Sequence, residues 1–107
     1  MTTKAEILSL AERVEAGSGS DLILRAEVFK ALPREHWLDM DITISIDAVE
    51  TLRERLLPGM LITIAHDGTK WFAQIRSTQR FYFDGVSASE PRARLAAVLR
   101  AYADGVE

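Results

Sequence analysis

Cysteine is missing from all 107 residues, and with it go disulfides, thiolate nucleophiles and every cysteine-built zinc or iron–sulfur site. Histidine occurs only at His36 and His66, each in a different local setting, so a histidine-rich metal centre is not on offer either. No apolar run approaches the roughly 20 residues that a membrane-spanning helix needs. Acids interrupt the apolar positions of MTTKAEILSLAERVE, so no secretory signal is expected, and the chain is expected to be cytoplasmic with no membrane partner. A large excess of one charge is also lacking. Thirteen basic against sixteen acidic residues leave a net charge of −3, an unfavourable balance for a protein dedicated to nucleic acid. What remains is a chain of ordinary globular composition, long enough for one domain, 1–107, with its own core.

Helical spacing opens the sequence. Thr3 and Glu6 form a capping box ahead of Ile7, Leu10, Ala11 and Val14, and this helix is expected to end near Ala16. GSGSD, 17–21, follows. Its glycines invite comparison with a phosphate-binding loop, but such a loop follows a strand, the third glycine of the dinucleotide version falls on Leu22, and no Gly-Lys-Ser/Thr comes after. The stretch is therefore expected to be a turn between two helices, with Gly17 left-handed past the first helix and Ser18-x-x-Asp21 capping a second that carries Leu22, Ala26, Phe29 and Leu32.

Pro33 ends that helix. LPREHWLDMD, 32–41, is a connector whose Trp37, Leu38 and Met40 are expected to fold inward as a lid over the core. ITISI, 42–46, alternates like a strand, and Asp47-x-x-Glu50 caps a helix carrying Val49, Leu52 and Leu56 that stops at Pro58-Gly59. From Met60 the period changes to two: MLITIA, WFAQIRS and RFYF read as strands joined at HDGTK and TQ, the third ending at Asp84-Gly85. A last helix starts near Ser89 or Glu90, takes Pro91 in its first turn and carries Leu95, Val98, Leu99 and Tyr102 to about Ala103. The expected fold class is α+β: an antiparallel sheet of three to four strands with helices packed on it, an α/β/α-type sandwich in the order α-α-(β)-α-β-β-β-α.

The order LAERVEA-GSGSD-L, SIDAVETL-PG, W-A-I and GVSASEPRARLAAVLRA resembles the phage ABA sandwich domain of small tailed-phage and prophage proteins. The resemblance spans nearly the whole chain, with Gly19-Ser20-Asp21 in place of Gly-Pro-Asp and Ser89-Glu90-Pro91 in place of Thr-Pro. It implies a layered α/β fold and a phage or prophage origin. It carries no assigned activity and no catalytic residues.

Little in the sequence asks for chemistry. His36 with Asp39 and Asp41 offers oxygen and nitrogen donors but reads as a solvated acidic loop, and His66 reads as a turn residue. Thr63 lies mid-strand, while Ser45, Ser77, Ser87 and Ser89 each sit at a cap, strand end or turn, so no nucleophile, base and orienter come together and no enzyme, cofactor or metal is expected. Glu12, Glu15, Arg25, Glu27, Arg53, Glu54 and Arg55 read as solvated helix faces, and Glu50 is offset between Arg53 and Glu54.

The sheet offers more. Alternation sets Leu61, Phe72, Gln74, Arg76, Arg80 and Tyr82 on the face opposite the core. Open, that face suits a protein interface, where aromatics and arginine are enriched and lysine is scarce, or stacking of bases by Phe72 and Tyr82 beside Arg76 and Arg80. Covered by helices, it makes Phe72 and Tyr82 a second core layer. The β-β-β-α order is also similar to double-stranded-RNA-binding domains, without their lysine-rich helix start. The leading expectation is a phage-type accessory protein acting by protein contact or self-association; the alternative is RNA or DNA binding.

Overall fold

A computed structural model describes residues 2–77 and 81–106. In chain order it contains α1 (Lys4–Ala16), α2 (Leu22–Ala31), one 3₁₀ turn (Arg34–His36), α3 (Ile46–Leu56), β1 (Leu61–His66), β2 (Trp71–Arg76), β3 (Tyr82–Ser87) and α4 (Glu90–Asp104). This is the α+β fold expected, with helices packed on a three-stranded antiparallel sheet of order β1-β2-β3.

α4 is the central element. Arg92, Ala93, Leu95 to Leu99, Ala101 and Ala103 are all buried, so it is enclosed almost all round, as a helix apolar on every side must be. One side lies on β2 and β3, the other on α1. Its alanines let backbones approach closely, and Gly85 of β3 completes the fit: a β-carbon there would overlap the Ala93 carbonyl oxygen and come within 2.7 Å of Ala97 N. Ala73 and Ile75 fill the same sheet face beneath the helix. Ile7, Leu10, Ala11 and Val14 of α1, Leu24, Val28 and Phe29 of α2, and Ala48, Val49 and Leu52 of α3 close the core. Each fully buried leucine, such as Leu95 or Leu99, contributes about 1.5–3 kcal/mol.

Several expectations change. ITISI is not a strand, so the optional strand between α2 and α3 does not form. Asp41 stands just ahead of it, and its carboxylate accepts from Thr43 N (2.9 Å) and the Thr43 hydroxyl while its carbonyl accepts from Ile44 N and Ser45 N. These local bonds hold a turn that outcompetes a ladder, leaving Ile42 and Thr43 buried and Ile44 exposed. Ser45, not Asp47, then caps α3, accepting from Ala48 N at 3.1 Å. β3 starts at Tyr82 and runs through Asp84-Gly85 rather than stopping there, because this glycine serves helix contact and not a turn.

In the first half of the chain, Thr3 caps α1 by accepting from Glu6 N, as its box predicts. Gly17, however, has φ −96°, and the left-handed residue is Gly19 at φ 68°. Asp21 caps α2 through Leu24 N at 2.9 Å, whereas Ser18 makes no cap. α2 buries Leu24, Val28 and Phe29; Leu22 and Ala26 face outward, the helix being too apolar all round for its period to choose a face. Trp37 and Met40 are no lid over the core. Both are exposed, Trp37 donating its indole N–H to the Leu32 carbonyl at 3.1 Å beside a shallow groove formed with Leu22, Phe29 and Leu38.

Candidate functional site

Gly17 to Ser20 form a site of the opposite polarity to a phosphate cradle. Arg92, 1% exposed, reaches from the first turn of α4 and donates to the carbonyls of Val14 (3.2 Å), Ser18 (3.4 Å) and Gly19 (2.8 Å). The last turn of α1 carries the negative end of the helix dipole, so the loop gathers carbonyl oxygens around a cation. An anion cradle needs amides aimed at the ligand. Gly17 leaves room for this side chain: a β-carbon there would force the Arg92 guanidinium to shift.

The expected interaction face is open. Cross-strand register places it in rows: Leu61, Arg76 and Tyr82; Thr63, Gln74 and Asp84; Ala65, Phe72 and Val86. Leu61 is 66% exposed, Tyr82 55% and Phe72 38%, so the alternative in which Phe72 and Tyr82 form a second core layer does not hold. On the other side Ala73, Ile75 and Gly85 are buried, and α4 packs on β2 and β3. Gln74 donates to Asp84 Oδ1 at 3.0 Å, fixing the middle row. Among the described residues of these rows the ionic groups are one arginine and one aspartate, so the face carries no net charge. Arg80, assigned to the same face from sequence, lies outside the described residues.

The two edges of the sheet differ. Along β3, Glu15 of α1 accepts from Val86 N at 2.7 Å, and Arg100 of α4 donates to the Asp84 carbonyl at 2.7 Å; the two side chains pair through both oxygens at 2.6 Å. Two of the outward backbone groups of β3, the Val86 amide and the Asp84 carbonyl, are thus occupied by side chains. Burial tends to raise the Glu15 pKa, but the hydrogen bonds from Arg100 and Val86 and the Arg100 charge outweigh it and hold the carboxyl below its ordinary range.

β1 itself has no such cover among the described residues; Arg53 of α3 reaches only the Met60 carbonyl just ahead of it, at 2.9 Å. Asp67 N bonds the Lys70 carbonyl (3.2 Å) and Ser77 N bonds the Phe81 carbonyl (2.9 Å), which sets the phase of both ladders. Leu61, Thr63 and Ala65 therefore bond to β2, while Ile62, Ile64 and His66 turn their amides and carbonyls outward. LITIAH contains no Lys, Arg, Asp, Glu, Pro or Gly, and its one-to-one register with β2 leaves no bulge. The devices that ordinarily protect an edge are missing.

The hairpin that presents this edge is well fixed. Asp67 Oδ1 accepts from Thr69 N and Lys70 N, both at 2.8 Å, and from the Thr69 hydroxyl, bonds that lower its pKa to about 2. His66 packs its ring on Trp71, centroids 4.4 Å apart, and accepts from Gly68 N. The other candidate groups do not converge: His36 lies beside Glu35, Asp41 is engaged by Ser20 and Thr43, Ser77 accepts from Phe81 N, and Ser87 from Ser89 N. Among the described residues no His, Asp and Glu side chains gather into a potential metal site, and no helix is long and apolar enough to cross a membrane.

Sequence reasoning missed Glu15, Arg100 and Arg92 as organising residues, and undervalued Glu50, which joins Arg53 on its own helix to Arg94 of α4 at 2.8 and 2.7 Å. One signal was available: a cation in the first turn of a helix opposes the dipole, so Arg92 is misplaced unless it serves another element. Glu15 and Arg100 give no such sign, since their pairing spans almost the whole chain. Comparison of the chain with family models, with characterised proteins and with solved structures finds no match.

Proposed function

We propose that the chain is a non-catalytic protein-binding module that uses the open face and free β1 edge of its sheet, and that it is an accessory protein of phage or prophage type. The observation that carries this reading is the contrast between the two edges: Glu15 and Arg100 engage the Val86 amide and the Asp84 carbonyl of β3, while a strand without Lys, Arg, Asp or Glu lines the other side. The open face carries Leu61 of that strand, Phe72 of β2 and Tyr82 of β3, all exposed, and the two aromatics are residue types that anchor protein interfaces. The phage setting rests on the resemblance of the motif order to the phage ABA sandwich domain.

Nucleic-acid binding by Phe72, Arg76, Arg80 and Tyr82 is the weaker reading. Base stacking needs a basic groove alongside the aromatics, and in the described rows Asp84 offsets Arg76. Leu61→Ser with Tyr82→Ser separates the two. Capture of a protein partner by the wild type and its loss in the double variant, with an unchanged melting temperature, is the expected result. A salt-sensitive gel shift with single-stranded RNA or DNA, abolished by Tyr82→Ala, is the result that replaces it.

A further inference from the structure

We infer that the occupant of the free β1 edge is a second copy of this chain, joined antiparallel to form one continuous six-stranded sheet; this rests on the protein-binding reading above. The strand is suited to itself. With Ile64 on the two-fold axis, Ile62 faces the partner's His66, and every outward backbone group of Ile62, Ile64 and His66 on both copies finds a mate. No other register pairs all three outward residues on each side. LITIAH contains no Lys, Arg, Asp or Glu, so none of these faces its own copy along the seam.

Charge beyond the seam favours the same register. On the outer face it sets Leu61 opposite the partner's Asp67, and Leu61 pairs within its own sheet with Arg76. Arg76 and the partner's Asp67 then stand two strand spacings apart, about 10 Å between backbones, within the combined reach of the two side chains across Leu61. Lys70, which follows Asp67 across the hairpin, is one strand further from Arg76. Symmetry provides the contact twice. Arg76 is exposed on this face. The β3 edges stay outermost, and there the Glu15–Arg100 pair, already bonded to the Val86 amide and the Asp84 carbonyl, opposes addition of a further strand, which favours a dimer over a fibre.

Sedimentation equilibrium from low micromolar to millimolar concentration tests this. Wild type is expected to form a dimer. Thr63→Lys with Ala65→Lys, both exposed, places lysines directly opposite one another across the axis and is expected to raise the dimer dissociation constant about a hundredfold. Arg76→Glu, which sets like charges at both ends, is expected to raise it about tenfold. Circular dichroism at low concentration checks that each variant is folded. If the lysine pair disturbs the strand, a nitroxide on Thr63→Cys, in a chain with no other cysteine, serves instead: spectral broadening from the partner's label supports the seam, and its absence overturns it. A chain monomeric to millimolar concentration, or a dimer indifferent to the lysine pair, also overturns it. If such a monomer still captures another protein through Leu61 and Tyr82, the second copy is excluded and the protein-binding reading stands. If it captures none, both fall.

Discussion

Arg92 shows how one side chain decides the character of a loop. Its guanidinium is buried without a carboxylate among the described residues, and the carbonyls of Val14 and Gly19 accept from it instead. Arg92→Ala leaves those carbonyls unpaired beside a cavity, and is expected to destabilise the fold by about 3 kcal/mol or more in urea unfolding. Arg92→Lys keeps the charge but loses the planar fork that spans Val14, Ser18 and Gly19, so an intermediate loss is expected. Gly85→Ala acts by sterics alone. Its β-carbon meets α4 backbone and not a flexible side chain, and a loss of about 3 kcal/mol is expected, with the strand and helix forced apart. At Asp67 the expectation is electrostatic: a carboxyl titration followed by NMR gives a midpoint at about 2. Replacing both Thr69 and the bonds it supplies with Thr69→Pro moves that midpoint up toward the ordinary aspartate range.

Elements with a strong period were legible in the sequence. The stripe of α1, the alternation of β1 and β2 and the start of α4 at Glu90 follow from side-chain spacing and from signals that act within a few residues. Elements failed where a local bond or a distant partner decided. Asp41 turned ITISI away from a strand, Gly85 answered to a helix that follows it, and the apolar surface of α2 gave no preferred side until the rest of the core was in place. The open sheet face was legible as a set of residues, but whether helices covered it was not, because coverage depends on how the helices distribute between two faces. The closed β3 edge was invisible for the same reason. Glu15 and Arg100 are ordinary polar positions on their own helices and gain meaning only where α1 and α4 flank the strand.

That closure is expected to depend on pH. The folded-state pKa of Glu15 lies below its unfolded value of about 4.3, so its stabilising contribution is fully present above that value and is lost as pH falls through the lower, folded one. Thermal unfolding followed from pH 7 downward is expected to show Glu15→Gln less stable than wild type at neutral pH. The difference should shrink below about pH 4.3, where wild type loses the same interaction. A constant difference down to strongly acidic pH would remove Glu15 from this role.

At the scale of the whole molecule, a helical layer gathered on one side leaves a sheet with a bare face and two unlike edges. The layer fixes the core through α4, and the same α1 and α4 that bury the inner face supply the pair that shuts β3. Everything proposed for this chain depends on that asymmetry being present in solution. Amide hydrogen exchange residue by residue along β1 and β3 tests it most directly. Val86 is expected to exchange slowly at every protein concentration, while Ile62 and Ile64 exchange fast in dilute protein and slow down as concentration rises. A fast Val86 amide, or Ile62 and Ile64 amides equally protected in dilute protein, would contradict the account.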